Sequence, residues 1–145
     1  MPERRKLRSE LVLGEEIGAY TYVLTPELVE MYAVATDDRH PWYIERSPFG
    51  GRIAHPTMVH MDYHRLEDKF LATPEEESGI HTEYDAEYIN PARVGEKITV
   101  KARCAANIMK RGRRYVTMAV ETFGEDGRPI TRYNDTHAVS YEKEV

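Results

Sequence analysis

The sequence predicts an α+β domain, an antiparallel sheet of about five strands wrapped around one central helix. Three observations carry this. From Gly79 onward, apolar and polar residues alternate with a period of two, in runs separated by turns that contain glycine. From Pro56 to about residue 71, Val59, Tyr63, Leu66 and Phe70 fall on one helical face, and no other segment is long enough to cover such a sheet. Between Tyr32 and Met61 the chain starts helical, loses all periodicity, and becomes helical again after Pro56. Its middle holds Trp42, Tyr43, Phe49 and Ile53, a composition that points to a working surface rather than to disorder.

Each element has its own signal. Residues 1–13 are charged and read as a tail, with a short apolar patch at 11–13. Tyr20–Leu24 is aromatic and β-branched, a short strand. Thr25-Pro26-Glu27 starts a helix with a hydroxyl cap, a proline whose missing N–H costs nothing there, and an acid in the first turn. Leu28, Met31, Tyr32 and Ala35 follow at i, i+3, i+4 and i+7 as its buried stripe. Gly50-Gly51 marks a turn that needs positive φ. The helix opened by Pro56 stops before Thr73-Pro74, and Glu75–Glu77 is a solvated connector.

In the sheet, Ile80, Thr82, Tyr84, Ala86 and Tyr88 alternate against His81, Glu83, Asp85 and Glu87. Strands Lys97–Ala106, Tyr115–Phe123, Pro129–Tyr133 and Thr136–Tyr141 follow, with a basic loop at Lys110–Arg114. A meander around one helix is the hotdog fold. Its open sheet edges predict extension by another chain, giving a homodimer or a hetero-oligomer with a related hotdog subunit.

The 145 residues form a single domain, 1–145. A net charge of −5 argues against nucleic acid, and the Arg4, Arg5, Lys6, Arg8 cluster reads as solvated. The lone Cys104 excludes an internal disulfide, and the alternation of Ile98, Val100 and Ala102 before it places it in a buried strand rather than as a nucleophile. No apolar run approaches a membrane span or a secretory h-region, so a cytoplasmic protein without membrane contact is expected. His60 and His64 have metal-ligand spacing on a helix. They lack a third ligand and the Glu of H-E-x-x-H, and no metal is expected.

The arrangement Y-A-x-A-T-x-D-x-x-P beginning at Tyr32, then F-G-G-x-I-A-H-P-T-M from Phe49, resembles the MaoC-like (R)-specific enoyl-thioester hydratases and 3-hydroxyacyl dehydratases. Tyr88–Val100 (Y-I-N-P-A-R-V-G-E-K-I-T-V), G-R-P-I-T-R and T-H-A-V-S extend the resemblance from about Gly14 to Tyr141. It implies the hotdog fold and a hydratase or dehydratase acting on an acyl thioester. Coenzyme A or phosphopantetheine would enter as part of the substrate, with no other cofactor. Asp38 falls on the family's acidic catalytic residue and His55 on its histidine. His40 stands where the family has Asn, Tyr43 where it has the catalytic His, and Pro56 replaces a glycine. These departures resemble the N-terminal-domain type, which includes subunits that pair with a catalytic partner. That non-catalytic binding role, and thioesterase activity, are the alternatives.

Hydration needs a base for water, an acid for C2 and donors for the thioester oxygen. Asp38 suits the base if burial or Asp37 raises its pKa, and Tyr43 is the poorer exchanger, with an ordinary pKa of about 10. His40 can replace it if the loop turns it inward. The catalytic set implied is Asp38, His40, Tyr43 and His55. Trp42, Gly51, Pro56 and Thr57 would hold substrate, with the helix start favouring the oxyanion. The basic loop is either a solvated hairpin tip or a contact for phosphates of coenzyme A or for a carrier protein.

Overall fold

The computed structural model describes residues 3–72 and 77–140, the side chains of Ser78 and Ser140 excepted. Its strands are β1 (Glu16–Val23), β2 (Ser78–Tyr88), β3 (Lys97–Lys110), β4 (Arg113–Phe123) and β5 (Pro129–Ser140). They form one antiparallel sheet in the order β1-β3-β4-β5-β2, so β1 and β2 are the edges. Helices α1 (Pro26–Thr36), α2 (Pro41–Ile44) and α3 (Asp62–Phe70) all lie between β1 and β2 in sequence. This is the hotdog arrangement. Among the described residues no helix is long and apolar enough to cross a membrane.

Alternation builds the core. Ile98, Val100, Ala102 and Cys104 of β3 and Val116, Met118 and Val120 of β4 are buried with Tyr63 and Leu66 of α3. Each buried Val, Ile, Leu or Met among them stabilises the fold by about 1.5–3 kcal/mol relative to an exposed one. Cys104 is a free thiol in this core.

Thr25 Oγ1 accepts the Leu28 N–H (3.3 Å) and Pro26 opens α1 as expected. The buried stripe differs from expectation. It is Val29 and Ala33, flanked by half-buried Leu28 and Tyr32, while Met31 is 68% exposed and Ala35 is also exposed. The tertiary surface, not local spacing, chose between two adjacent apolar lines. The central helix also departs from a uniform α-helix. Pro56–Met61 winds as 3-10 turns, with the Met58 N–H donating to the His55 carbonyl (3.0 Å), and turns α-helical only at Asp62.

Four corrections concern the chain start, the strands and the connector before β2. The residues read as a tail pack onto the domain: Leu11 joins the core, Arg5 donates to the Asp68 carbonyl (3.0 Å), and Arg8 pairs with Glu67. Pro129–Tyr133 and Thr136–Tyr141 are one strand, β5, as far as Ser140. In β2 the register slips between His81 and Glu83, a bulge at Thr82. One extra residue moves every later side chain to the other face. His81 therefore sits on the helix-facing side with Tyr84, Ala86 and Tyr88, and Ile80, expected there, is 63% exposed. Thr73 to Glu76 and Tyr141 lie outside the described residues. Glu77 accepts a hydrogen bond from the Ser9 hydroxyl instead of standing free.

Candidate active site

The site is built where α1 ends. Asp37 takes the left-handed conformation (φ 52°), which Asp tolerates, and turns Asp38 back toward the start of the central helix. There the Asp38 carbonyl accepts a hydrogen bond from His55 Nε2 at 2.9 Å, and Asp38 Oδ2 lies 3.7 Å from the same nitrogen. The carboxylate is 53% exposed, so burial, one of the two conditions set for it as a base, is not met. Its Oδ1 accepts the His40 N–H (3.3 Å).

His55 is buried at 3% exposure. Because a carbonyl can only accept, Nε2 is the donor, and in the neutral ring Nδ1 keeps its lone pair. Nδ1 is buried and has no hydrogen-bond partner within the described chain. The Tyr43 ring stacks on His55 (centroids 3.6 Å, 29° between planes), and the Tyr32 ring meets it edge-on at 5.0 Å. Partial burial, reinforced by the charge of Asp38, pushes the Tyr43 phenol above its ordinary value. Tyr43 therefore keeps its proton at neutral pH and acts as a plate behind the imidazole.

The remaining predicted residues divide. His40 Nδ1 accepts the Trp42 N–H (3.2 Å) and caps α2, a helix that the sequence pattern did not show. Its ring leans on Trp42 and Tyr43, at 5.2 and 5.6 Å, rather than on His55. The Gly51 carbonyl accepts the Ser47 N–H (2.8 Å), and Gly50 and Gly51 both have positive φ, so the pair closes a turn. Thr57 Oγ1 shares a hydrogen bond with the Tyr32 hydroxyl (2.8 Å). Pro56 has no N–H, which makes Thr57 the first residue of the central helix able to donate one.

Beside His55 opens a cavity of about 380 Å³, within the usual range for small-molecule sites. Trp42, Tyr43, His55 and Pro56 line it; Asp38, His40, Gly51 and Thr57 do not. Phe49, Ile53, Val59 and Ile130 supply apolar wall, and Tyr88–Arg93 forms the opposite side. Those residues escaped sequence reasoning as lining, although Tyr88–Arg93 and Phe49–Ile53 lie in the stretches that carry the resemblance. Arg128 at the rim is held by Glu96 (2.6 Å) and Asp126 (2.8 Å). The basic hairpin turns at Arg111-Gly112, at the other end of β3 and β4, about 40 Å away by strand rise. It does not reach this cavity, so the phosphate-contact alternative fails for a single chain.

A helix-wrapped antiparallel sheet, with a buried imidazole at the helix start beside an apolar cavity, defines a hotdog protein. The family described as "FAS1-like, dehydratase domain region" matches residues 11–132, and the chain belongs to it. No curated protein sequence matches the chain. Among solved structures it is similar to the R-hydratase PhaJ1 of Pseudomonas aeruginosa in its unliganded form. That match has 18% identity and a TM-score of 0.77 and covers 97% of this chain and 94% of that one. A MaoC-like dehydratase from Rhodospirillum rubrum matches at 19% identity and TM-score 0.74, over 94% and 97% of the two chains. The HadBC (3R-hydroxyacyl-ACP dehydratase) complex of Mycobacterium tuberculosis contributes a match at 14% identity and TM-score 0.75, over 88% and 96%. Likenesses at these identities show a common fold.

Proposed function

We propose that the protein adds water to, or removes it from, an acyl thioester, with coenzyme A or a carrier-protein arm entering as part of the substrate. The observation that carries this reading is the buried His55 ring, oriented by the Asp38 carbonyl and carboxylate at the wall of the apolar cavity. In the hydration direction His55 takes a proton from water as oxygen bonds to C3, and the imidazolium so formed gives that proton to C2, which returns His55 to its neutral state. Asp38 orients the ring and balances its positive charge, as the carboxylate behind a catalytic imidazole does elsewhere. The thioester oxygen would face Thr57 at the helix start, where free N–H groups and the helix dipole favour negative charge. The one buried thiol fits a cytoplasmic setting.

A second reading, an acyl-binding subunit without chemistry of its own, is favoured by Tyr43 and Pro56. The first holds its proton where the resemblance expects an exchanging imidazole, and the second removes a donor. The outer edge of β2, unpaired in the sheet order, is where a second hotdog chain would add, whether identical or related. The two-subunit dehydratase complex among the structural relatives supports the related one.

The test is loss of the conjugated enoyl absorbance with purified protein, crotonyl-CoA and longer enoyl-CoAs. Turnover that falls about 10²–10⁴-fold in His55→Ala and markedly in Asp38→Asn supports the assignment. Undiminished turnover in His55→Ala overturns it. Absence of turnover from folded protein, with saturable acyl-CoA binding, establishes the second reading instead.

A further inference from the structure

Away from the cavity, His60, His64, His81 and His137, four of the six histidines, gather near Asp135. The Asp135 carboxylate is 0% exposed, on the helix-facing side of β5, where a hotdog sheet ordinarily carries an apolar residue. His81 Nε2 lies 2.8 Å and His137 Nδ1 3.3 Å from the same oxygen, Oδ1. The Thr82 bulge brings His81 inward. Its Nε2 also donates to the Glu83 carbonyl (3.0 Å), so that nitrogen carries a proton.

The other packed elements contribute as well. From the central helix, the His60 ring stacks over His81 (5.8 Å) and meets Tyr84 of β2 (4.4 Å), and its carbonyl accepts the Tyr133 hydroxyl of β5 (3.3 Å). His64 lies one turn further on, and Tyr63 beside it stays protonated because burial raises its phenol. From the N-terminal segment, Arg8 is paired with Glu67 of α3, and both act on His137. Among the described residues, no three His, Cys, Asp or Glu side chains are placed to share a metal ion. The ligand these groups do share is the proton.

We propose that this cluster is an acid-sensitive clasp: one buried carboxylate holds edge strand β2 to β5, with His60 of the central helix stacked on His81, while His60 and His137 are neutral, and their protonation releases β2. Burial, then the charge of Arg8, holds His137 down to about 4, from an ordinary 6.5. Burial likewise lowers His60. A histidine held below its ordinary value takes up a proton when its surroundings open. Opening is therefore favoured as pH falls from about 6.5 toward 4, up to about tenfold per pH unit for each proton gained. Burial raises Asp135, opposed by His81, His60 and His64, and this group runs the other way, releasing its proton on opening. Two imidazoles against one carboxylate leave a net uptake. Because β2 is also the edge open to a second chain, its release would loosen the assembly proposed above; the clasp itself does not rest on that proposal.

Amide hydrogen exchange on the full chain between pH 7.5 and 4.5, corrected for intrinsic rates, tests this directly. The expected result is β2 opening that rises several-fold to tenfold per pH unit below 6.5, while the β3–β4 hairpin stays flat. A β2 response that is absent, or parallel to β3–β4, overturns the proposal. His137→Phe leaves one imidazole against one carboxylate and should therefore remove most of the β2 slope while keeping protection at pH 7.5; an unchanged slope also overturns it. Should that variant fail to fold, NMR titration of the wild-type imidazoles decides: His137 neutral at pH 5 in the folded protein is required, and titration near 6.5 refutes the clasp.

Discussion

Asp62 offers the sharpest test of how this fold treats charge. It is the first residue of α3, buried, and Tyr22 of β1 donates to its Oδ2 at 2.8 Å. Burial pushes its carboxyl up to about 7 from an ordinary 3.8, against the pull of the Tyr22 hydrogen bond and the Arg65 charge. A carboxyl whose folded-state value is raised contributes stability that is complete below the unfolded value and is lost as pH rises through the folded one. Each pH unit in that window is about 1.4 kcal/mol, so the contribution falls by close to 3 kcal/mol between pH 5 and pH 7 and then levels off. Asp62→Asn keeps an acceptor for Tyr22 and cannot ionise. Urea unfolding of both proteins at pH 5, 6, 7 and 8 gives the difference in stability, from which the histidine clasp and all other shared groups cancel. That difference should shift by about 3 kcal/mol in favour of the variant from pH 5 to pH 8. A difference constant to within about 0.5 kcal/mol would show Asp62 ionised throughout, and burial at this helix start would not be the dominant force on it.

Gly18→Ala would place a Cβ 2.7 Å from the Phe70 ring, at φ 147°, so a loss of about 1–3 kcal/mol in urea unfolding is expected; an unchanged midpoint would mean that β1 and Phe70 separate freely. Thr25→Ala removes the α1 cap and should cost about 1 kcal/mol by the same measurement, with the cavity intact by acyl-CoA binding. Tyr43→Phe should leave any enoyl-CoA turnover within about threefold, because the phenol holds its proton; a loss beyond 10² would make it an acid–base group.

What was legible in the sequence was whatever local periodicity controls. The Thr25-Pro26 start, the Val59, Tyr63, Leu66 face and the β3 alternation needed only the 3.6 and 2.0 repeats. Where one residue or one contact decides, the pattern misleads. The Thr82 bulge has no mark of its own in the sequence, yet it exchanges His81 for Ile80 on the buried side and thereby creates the histidine cluster. Val29 rather than Met31 faces inward because of what lies opposite it. In the site, the residues placed by motif divided by their backbone roles. His40 and Gly51 spend their polar groups on capping and on a turn, whereas His55 faces Asp38 because an αL residue at Asp37 folds the chain back. The far wall, Tyr88–Arg93, comes from a loop more than thirty residues away in the chain and becomes lining only once the sheet has closed.

The two readings of the site part company at position 43. The Tyr43 ring sits 3.6 Å from His55, half-buried and within reach of the Asp38 charge, and its phenol is driven away from the pH range in which a proton can be exchanged. An imidazole has an ordinary pKa near 6.5, so Tyr43→His would put an exchanging group at that place without a larger side chain. If the chain is a hydro-lyase lacking only its second exchanger, kcat for enoyl-CoA hydration should rise by about 10²-fold or more, and His55→Ala added to Tyr43→His should abolish the gain. If Pro56 also matters through the missing N–H, the gain should appear in kcat with KM little changed, and Pro56→Gly should add to it. A folded Tyr43→His variant that binds acyl-CoA and, like the wild type, turns none over would place the chain among binding subunits. The cavity would then be a berth for an acyl group whose chemistry belongs to a partner.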